Sequence, residues 1–435
     1  MGTNYLFSRR ALRTVLTVLP LTFSVSCEFN PPAASDLCED LEQLPITDLT
    51  AQGRSVVLET PGIITVMHGF GSAKLASGEY LKVEESLDIP SYANKATVFL
   101  NGWRSSYLGD DDQHVLEFGT MVGKIRLERT KLTWNAIGEL RDDGGEEGFD
   151  WTYFYTVIAW NNAALNAFVN HDDAEKFCNA DTAGSDNFYF TENGGTTTAL
   201  SSFSSFLRNP DFPPRGIVAI LPRGFGFAWD GDDHHLLQTA YNLDHSETFI
   251  EAGRKYKKAG GEENPLTTPA SRSDSRFVSW NTYGIYKDND GRRDYIFGEM
   301  VSAFGGNDVA VVQPPFSILP DEDAGPFTGC VSSSSGVLTQ ESVIENLPFE
   351  YAIPMLTGWE LVSGCDDEHV KEIGIWIEEW SYVPGAQGGT LRYKVSSILR
   401  DKDSEPGHSR SQKVTILGLR PVDGRPVVPT GPSPT

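Results

Sequence analysis

Three stretches of this chain carry the same short motifs in the same order. Each copy opens with an apolar strand that ends in a glycine and an aromatic residue: Gly102-Trp103, Gly224-Phe225 and Gly358-Trp359. An acidic loop ending in histidine follows, then a central strand, a second acidic turn and a closing apolar strand. Because each copy of an internal repeat must form one structural unit, this pattern constrains the architecture more than any single motif does.

The apolar runs between these motifs are short and rich in β-branched and aromatic residues, as at 96–100 and 152–158. Such runs, bounded by Gly, Pro, Asn and Asp, are typical of antiparallel strands. Only 173–178 and 341–345 suggest short helices. The predicted fold is therefore mainly β, with three tandem antiparallel β-sandwich repeats. The three units can form a rod or close around a pseudo-threefold axis, which would hide edge strands and create shared clefts.

Aligning the copies divides the chain into segments. The β-sandwich repeats are predicted at 49–170, 209–318 and 341–422, joined by connectors at 171–208 and 319–340. Residues 1–26 are predicted to be an export signal, 27–48 a tether and 423–435 a disordered proline-rich tail. A shared lead-in, 86–92 and 342–349, supports the register of the first and third copies. The charged insert 251–276 of the second copy is expected to be a surface loop.

The formal net charge of the 435 residues is −25, which argues against a nucleic-acid partner because phosphate binding needs a basic surface. Arginines precede a short apolar run at 15–25, as in an export signal, and that run is too short to anchor stably in a bilayer. Residues 8–13 resemble a twin-arginine signal. Residues 24–27 resemble a bacterial lipobox, although Ser24 stands where leucine is usual. The expected state is an exported protein, either an outer-membrane lipoprotein or periplasmic or extracellular, whose membrane contact is a lipid on Cys27.

Four further cysteines, Cys38, Cys178, Cys330 and Cys365, form an even set in an exported chain. They are consistent with two disulfides in any of three pairings, or with buried thiols. None belongs to a C-x-x-C pair, which disfavours zinc and thioredoxin-like chemistry.

Each copy repeats two acidic turns, and if both lie at one end of the sandwich, each copy offers a ring of carboxylates with one imidazole. Oxygen-rich loops suit Ca²⁺, and a mixture of Asp and His suits a transition metal. Aspartates in tight turns also bond their own backbone, so a purely structural role remains an alternative. The candidate metal ligands are Asp110, Asp112, Asp142, Asp143, Asp232, Asp233, Asp288, Asp290, Asp366, Asp367, Asp401 and Asp403. The repeated histidines His114, His235 and His369 are candidate ligand contacts.

Most of the nine tryptophans stand in apolar strands and are expected in the core. Trp229, beside the second acidic loop, is the best candidate for an exposed ring that stacks on a sugar. The sequence contains no nucleophile elbow, phosphate loop, metalloprotease helix or dinucleotide fingerprint, which disfavours those chemistries.

The first copy resembles an H-type lectin domain, the six-stranded sandwich of discoidins and snail agglutinins. The resemblance rests on residues 98–103, 132–134 and 157–160. Members of that family are trimers that bind N-acetylgalactosamine-type sugars at subunit interfaces, so three copies in one chain imply a covalent trimer. The resemblance implies a sugar contact at Trp160, which is present in the first copy alone. The family does not typically carry the acidic histidine loop. A shared fold does not by itself establish a shared function.

Three functions follow in order of preference. The first is an exported, surface-anchored protein of lectin-like repeats that binds carbohydrate or another cell-surface polymer, with Ca²⁺ as the candidate cofactor. The second is a structural or assembly protein of the cell envelope that Ca²⁺ rigidifies. The third is a metal-dependent hydrolase centred on Asp232, Asp233, His234 and His235. All three copies keep the acidic loop, whereas a catalytic site is usually retained in one, so the enzyme is the least favoured.

Overall fold

The computed structural model describes residues 43–78, 80–109, 114–142, 147–170, 188–193, 200–208, 217–229, 236–247, 277–288, 295–313, 336–363, 369–385, 388–401 and 408–421. All twenty elements in these ranges are β-strands, which confirms the mainly β prediction. Among the same residues no helix is long and apolar enough to cross a membrane.

Each repeat consists of one lead strand and four core strands. In the first repeat these are β3 (Tyr80–Asp88), β4 (Lys95–Tyr107), β5 (Val115–Glu128), β6 (Lys131–Asp142) and β7 (Phe149–Trp160). In the second they are β10 (Leu200–Arg208), β11 (Ile217–Trp229), β12 (Leu236–Glu247), β13 (Phe277–Asp288) and β14 (Tyr295–Gly306). In the third they are β16 (Val337–Leu347), β17 (Phe349–Ser363), β18 (Val370–Val383), β19 (Gly389–Asp401) and β20 (His408–Pro421). The others are β1 (Leu49–Thr60), β2 (Ile64–Leu75), β8 (Phe168–Asn170), β9 (Phe188–Asn193) and β15 (Val309–Val312).

Strand pairing inside the repeats is identical in all three. The first core strand pairs with the fourth, as β4 with β7, β11 with β14 and β17 with β20. The second pairs with the third, and the lead strand pairs with the other edge of the third. The two halves of one repeat lie in different sheets, so each repeat is a sandwich whose layers belong to separate sheets.

The repeats are joined to one another through these sheets. Strand β5 of the first repeat pairs with β11 of the second, β12 of the second with β17 of the third, and β18 of the third with β4 of the first. The pairing thus closes on itself as a ring, and each of the three sheets contains strands of two repeats. The pseudo-threefold arrangement is therefore the one adopted, and a rod is excluded.

The register of the three inter-repeat seams is the same. The glycines of the repeated motif lie opposite Trp376, Met121 and Asn242, each seven residues after the repeated histidine. A register shift precedes the glycine in every repeat, between Leu100 and Gly102, Pro222 and Gly224, and Leu356 and Gly358. Equal register at three seams is strong support for three copies of one module.

An aromatic triad fills the centre of the ring. Trp103, Phe225 and Trp359, the aromatic residues of the repeated motif, are all buried. Their ring centroids are 5.4 Å apart for Trp103 and Phe225, 5.4 Å for Phe225 and Trp359, and 6.1 Å for Trp103 and Trp359. The aromatic residue that follows the repeated glycine in each copy thus forms part of one core that all three repeats share.

The structure changes the assignment of three segments. The predicted connector 171–208 contains β9 and β10, and β10 pairs with β13 as the other lead strands pair with their repeats. Residues 341–345, predicted as a helix, lie in β16, because pairing with β19 overrides a weak local preference. The predicted tether reaches the fold, since the Thr47 amide donates to the Lys82 carbonyl at 2.6 Å. The 251–276 insert and 173–178 lie outside the described residues.

Candidate functional site

In every repeat the strand ends that flank the two acidic turns lie at the same end of the ring, here called the acidic end. The residue that follows each histidine pairs directly with an aspartate of the second turn: Val115 with Asp142, Leu236 with Asp288, and Val370 with Asp401. In the first repeat the Leu108 amide also donates to the Gly148 carbonyl at 3.0 Å, which ties one turn to the other. The strand ends beside the two acidic segments of a repeat are therefore neighbours.

Histidines of different repeats meet at this end. The rings of His114 and His369, from the first and third repeats, have centroids 5.2 Å apart and planes inclined at 36°. The β4–β18 seam brings them together, and Lys371 Nζ donates to the Gly109 carbonyl across the same seam. His235 lies outside the described residues, directly before the first residue of β12. The acidic end is thus a composite surface that no single repeat could form.

The other predicted site residues fall into two groups. Asp142 ends β6 and is buried, and Asp288, Asp401 and Trp229 are the last residues of their strands. The remaining predicted ligands and the cysteines lie outside the described residues: Asp110, Asp112, Asp143, Asp232, Asp233, Asp290, Asp366, Asp367, Asp403, Cys27, Cys38, Cys178, Cys330 and Cys365. Within the described ranges no three His, Cys, Asp or Glu side chains are grouped so as to hold a metal ion.

Trp160, the residue that the lectin resemblance marks as a sugar contact, is a core residue here. Its side chain is fully buried, and its indole N–H donates to the Ala167 carbonyl at 3.1 Å. Its ring packs edge-on against Phe304 of the second repeat at 5.3 Å. With its hydrogen bond satisfied internally and both faces covered, this ring leaves no surface for a sugar.

Beneath the acidic end lies a buried polar layer formed by the residues three positions after each histidine: Glu117, Gln238 and Glu372. In the first repeat, Arg141 and the Tyr80 hydroxyl donate to Glu117 at 2.8 and 2.9 Å. The other two members form bonds across seams between repeats. Gln238 donates to Glu360 at 2.7 Å, and Glu372 accepts from Arg104 and, at 3.0 Å, pairs with Arg400.

Sequence reasoning missed this layer, although a signal for it was present. A basic residue precedes the strand-end aspartate in every copy, as Arg141, Lys287 and Arg400, and it pairs across the sheet with the residue three after the histidine. An acid or amide facing a base at one fixed offset in three copies marks an interior polar contact. Charge-assisted bonds of this kind hold the base of the acidic turns in place.

One further carboxyl belongs to this layer. Glu139 is fully buried beside Glu117. Burial, together with the neighbouring Glu117 charge, raises the pKa of Glu139 well above its ordinary value. This shift favours the protonated form of Glu139, and the ion pair of the layer is the one that Arg141 forms with Glu117 at 2.8 Å.

Two single substitutions separate these roles. Glu117→Gln is expected to lower the free energy of unfolding by about 3 kcal/mol, because it removes the carboxylate charge that pairs with the buried Arg141. Glu139→Gln keeps the neutral state and nearly the same shape, and it should change stability by less than about 1 kcal/mol. Urea denaturation at pH 7 measures both. Equal losses in the two variants would contradict the assignment of charge.

No protein-family model and no curated protein sequence matches this chain.

Proposed function

We propose that this chain is an exported, surface-anchored protein that binds carbohydrate or another cell-surface polymer at the acidic end of its ring. The contact between His114 and His369 carries the proposal, because it brings together the residues that directly follow the acidic loops of two separate repeats. The lectin-like strand order and the export signal are consistent with it. The proposed membrane attachment is the lipid on Cys27.

The chemistry of the acidic end suits a polyhydroxylated ligand. Carboxylates accept hydrogen bonds from hydroxyl groups, and imidazoles can donate or accept them. The strand that follows His369 is braced below this end, since Glu372 is held by Arg104 and Arg400 from two repeats, and a preorganised base lowers the entropic cost of binding. The repeated aspartates are oxygen ligands of the kind that Ca²⁺ prefers, so we include Ca²⁺ as a cofactor that bridges protein and ligand.

The closed ring favours a second candidate, a structural protein of the cell envelope that Ca²⁺ stabilises. Sheets shared by consecutive repeats make the whole chain one core, which suits a scaffold as well as a receptor. The residues that a hydrolase would need, Asp232, Asp233, His234 and His235, lie outside the described ranges, and we do not favour that function.

The direct test is a glycan and polysaccharide array probed with the purified full-length chain, with calcium and with a chelator. We expect binding with calcium that falls at least tenfold in His114→Ala/His369→Ala. Lys131→Ala, an exposed change at the first residue of β6 and at the opposite end, should leave binding unchanged. Absence of binding in both conditions would contradict the proposal. A melting temperature that falls on chelation without any binding would favour the scaffold instead.

A further inference from the structure

Each repeat inserts one extra residue into its first core strand, directly before the glycine of the repeated motif. These bulge residues are Asn101, Arg223 and Thr357, and all three are buried. A bulge changes the direction of a side chain locally, so three equivalent bulges place three side chains at equivalent positions in the interior of the ring. The three side chains are nevertheless chemically different: an amide, a guanidinium and a hydroxyl.

In the first and third repeats the bulge side chain is fully satisfied. Asn101 donates to the Thr156 hydroxyl at 2.9 Å and to the Pro354 carbonyl at 3.1 Å, and it accepts from the Leu356 amide at 2.8 Å. Two of these partners belong to β17 of the third repeat, so the side chain crosses between first core strands inside the ring. In the third repeat, Thr357 bonds Thr415 at 2.6 Å.

In the second repeat the same position holds an arginine that has no ion-pair partner among the described residues. Arg223 is 1% exposed, and its Nε and one terminal nitrogen have no hydrogen-bond partner in the described structure. Ser302 occupies the register position of Thr156 and Thr415, and its hydroxyl is likewise buried without a partner there. Two sets of unsatisfied donors thus stand where the other repeats form direct bonds.

A buried guanidinium needs a counter-charge. An isolated ion in a low-dielectric interior costs several kcal/mol, and natural structures meet that cost by pairing it. Burial lowers the pKa of Arg223 to about 9, so the group is still protonated at neutral pH. Its charge persists in the folded protein, and the apolar aromatic triad nearby offers no acceptor for it.

We propose that Arg223 and Ser302 bind a small monovalent inorganic anion, of the chloride class, inside the ring. The guanidinium N–H groups and the Ser302 hydroxyl are donors of the kind that hold a halide. A multivalent oxyanion such as phosphate would lose far more hydration energy on entering this interior. The anion takes the place of the direct contacts that Asn101 and Thr357 form in the other repeats, and it completes the polar bonding of the second bulge.

The test compares thermal melting in sodium chloride, sodium bromide and sodium gluconate at one ionic strength. The full chain should melt at a higher temperature in the two halides, by on the order of 2 °C for each tenfold rise in halide past half-saturation. Arg223→Met replaces the buried charge with an apolar chain of similar length and should abolish the difference between halide and gluconate. Arg392→Met, an exposed change of equal charge, should retain it.

Crystals of the unaltered protein grown in bromide provide a readout that does not depend on any variant. An anomalous peak within hydrogen-bond distance of Arg223 and Ser302 is the expected result. Melting that is the same in halide and gluconate, or density at this position that scatters as water, would overturn the proposal. The acidic end takes no part in this site, so loss of polymer binding would leave the result unaffected.

Discussion

Replacing Trp103 with alanine is expected to lower the free energy of unfolding by about 3–5 kcal/mol, the range for a large aromatic side chain removed from a packed core. Trp103 is fully buried and contacts Phe225 of the second repeat, Trp359 of the third and Phe118 of its own repeat. The substitution therefore removes packing contacts at the point where all three repeats meet. Because each sheet is shared, the whole ring should unfold in one transition at a lower urea concentration.

Trp103→Phe is the matched control, since the second repeat already carries phenylalanine at this position as Phe225. It keeps an aromatic ring at the centre and should cost about 1–2 kcal/mol, less than the loss for alanine. Urea denaturation followed by far-UV circular dichroism measures both variants. If Trp103→Ala cost less than about 1 kcal/mol, or unfolded the first repeat alone, the central role of the triad would be refuted.

The repeated motif made much of the fold predictable. A glycine followed by an aromatic residue in three copies predicts three equivalent strands, and short β-branched runs predict antiparallel pairing. The choice between ring and rod could not be made from sequence, because it depends on which strand meets which edge. That choice is settled by side-chain fit at the seams, as where Gly102 lies opposite Trp376.

The missed strand β10 shows a limit of local patterns. Residues 200–208 are rich in serine, and their apolar members do not alternate regularly: Leu200, Phe203, Phe206 and Leu207. The segment therefore reads as a linker, and only its nine-residue pairing with β13 makes it a strand. Tertiary contact decides such cases because strand propensity mostly measures fit to a neighbour.

The sequence named residues of the candidate site but not their arrangement. Repetition left open whether the two acidic turns converge, and the pairing of Val115 with Asp142 brings the flanking strand ends of the first repeat together. Repetition could not show that His114 and His369 meet across a seam, nor that Trp160 is enclosed by Phe304. Both facts follow from contacts between copies, which a motif within one copy does not encode.

The three glycines of the repeated motif should respond to alanine in a graded order set by their seams. At Gly102 the backbone has φ of 140°, and an added Cβ would overlap the Trp376 backbone and lie 2.6 Å from the Ile375 carbonyl oxygen. At Gly224 it would lie 2.8 Å from Met121 Cα, without a strained φ, and at Gly358 no closer than 3.1 Å to Asn242 Oδ1. Gly102→Ala should therefore cost about 3 kcal/mol or more, from backbone strain plus overpacking.

Gly224→Ala should cost about 1–3 kcal/mol through overpacking alone, and Gly358→Ala about 1 kcal/mol or less, because a side-chain atom can move where a backbone atom cannot. Melting temperatures and urea midpoints of the three variants test the order of these stability losses. Because all three carry the same Gly→Ala change, each serves as the control for the others. Equal losses at all three positions would show that the seams do not differ in tightness. A harmless Gly102→Ala would mean that β4 and β18 do not pair in this register, and the ring would then be open at the very contact that brings His114 to His369.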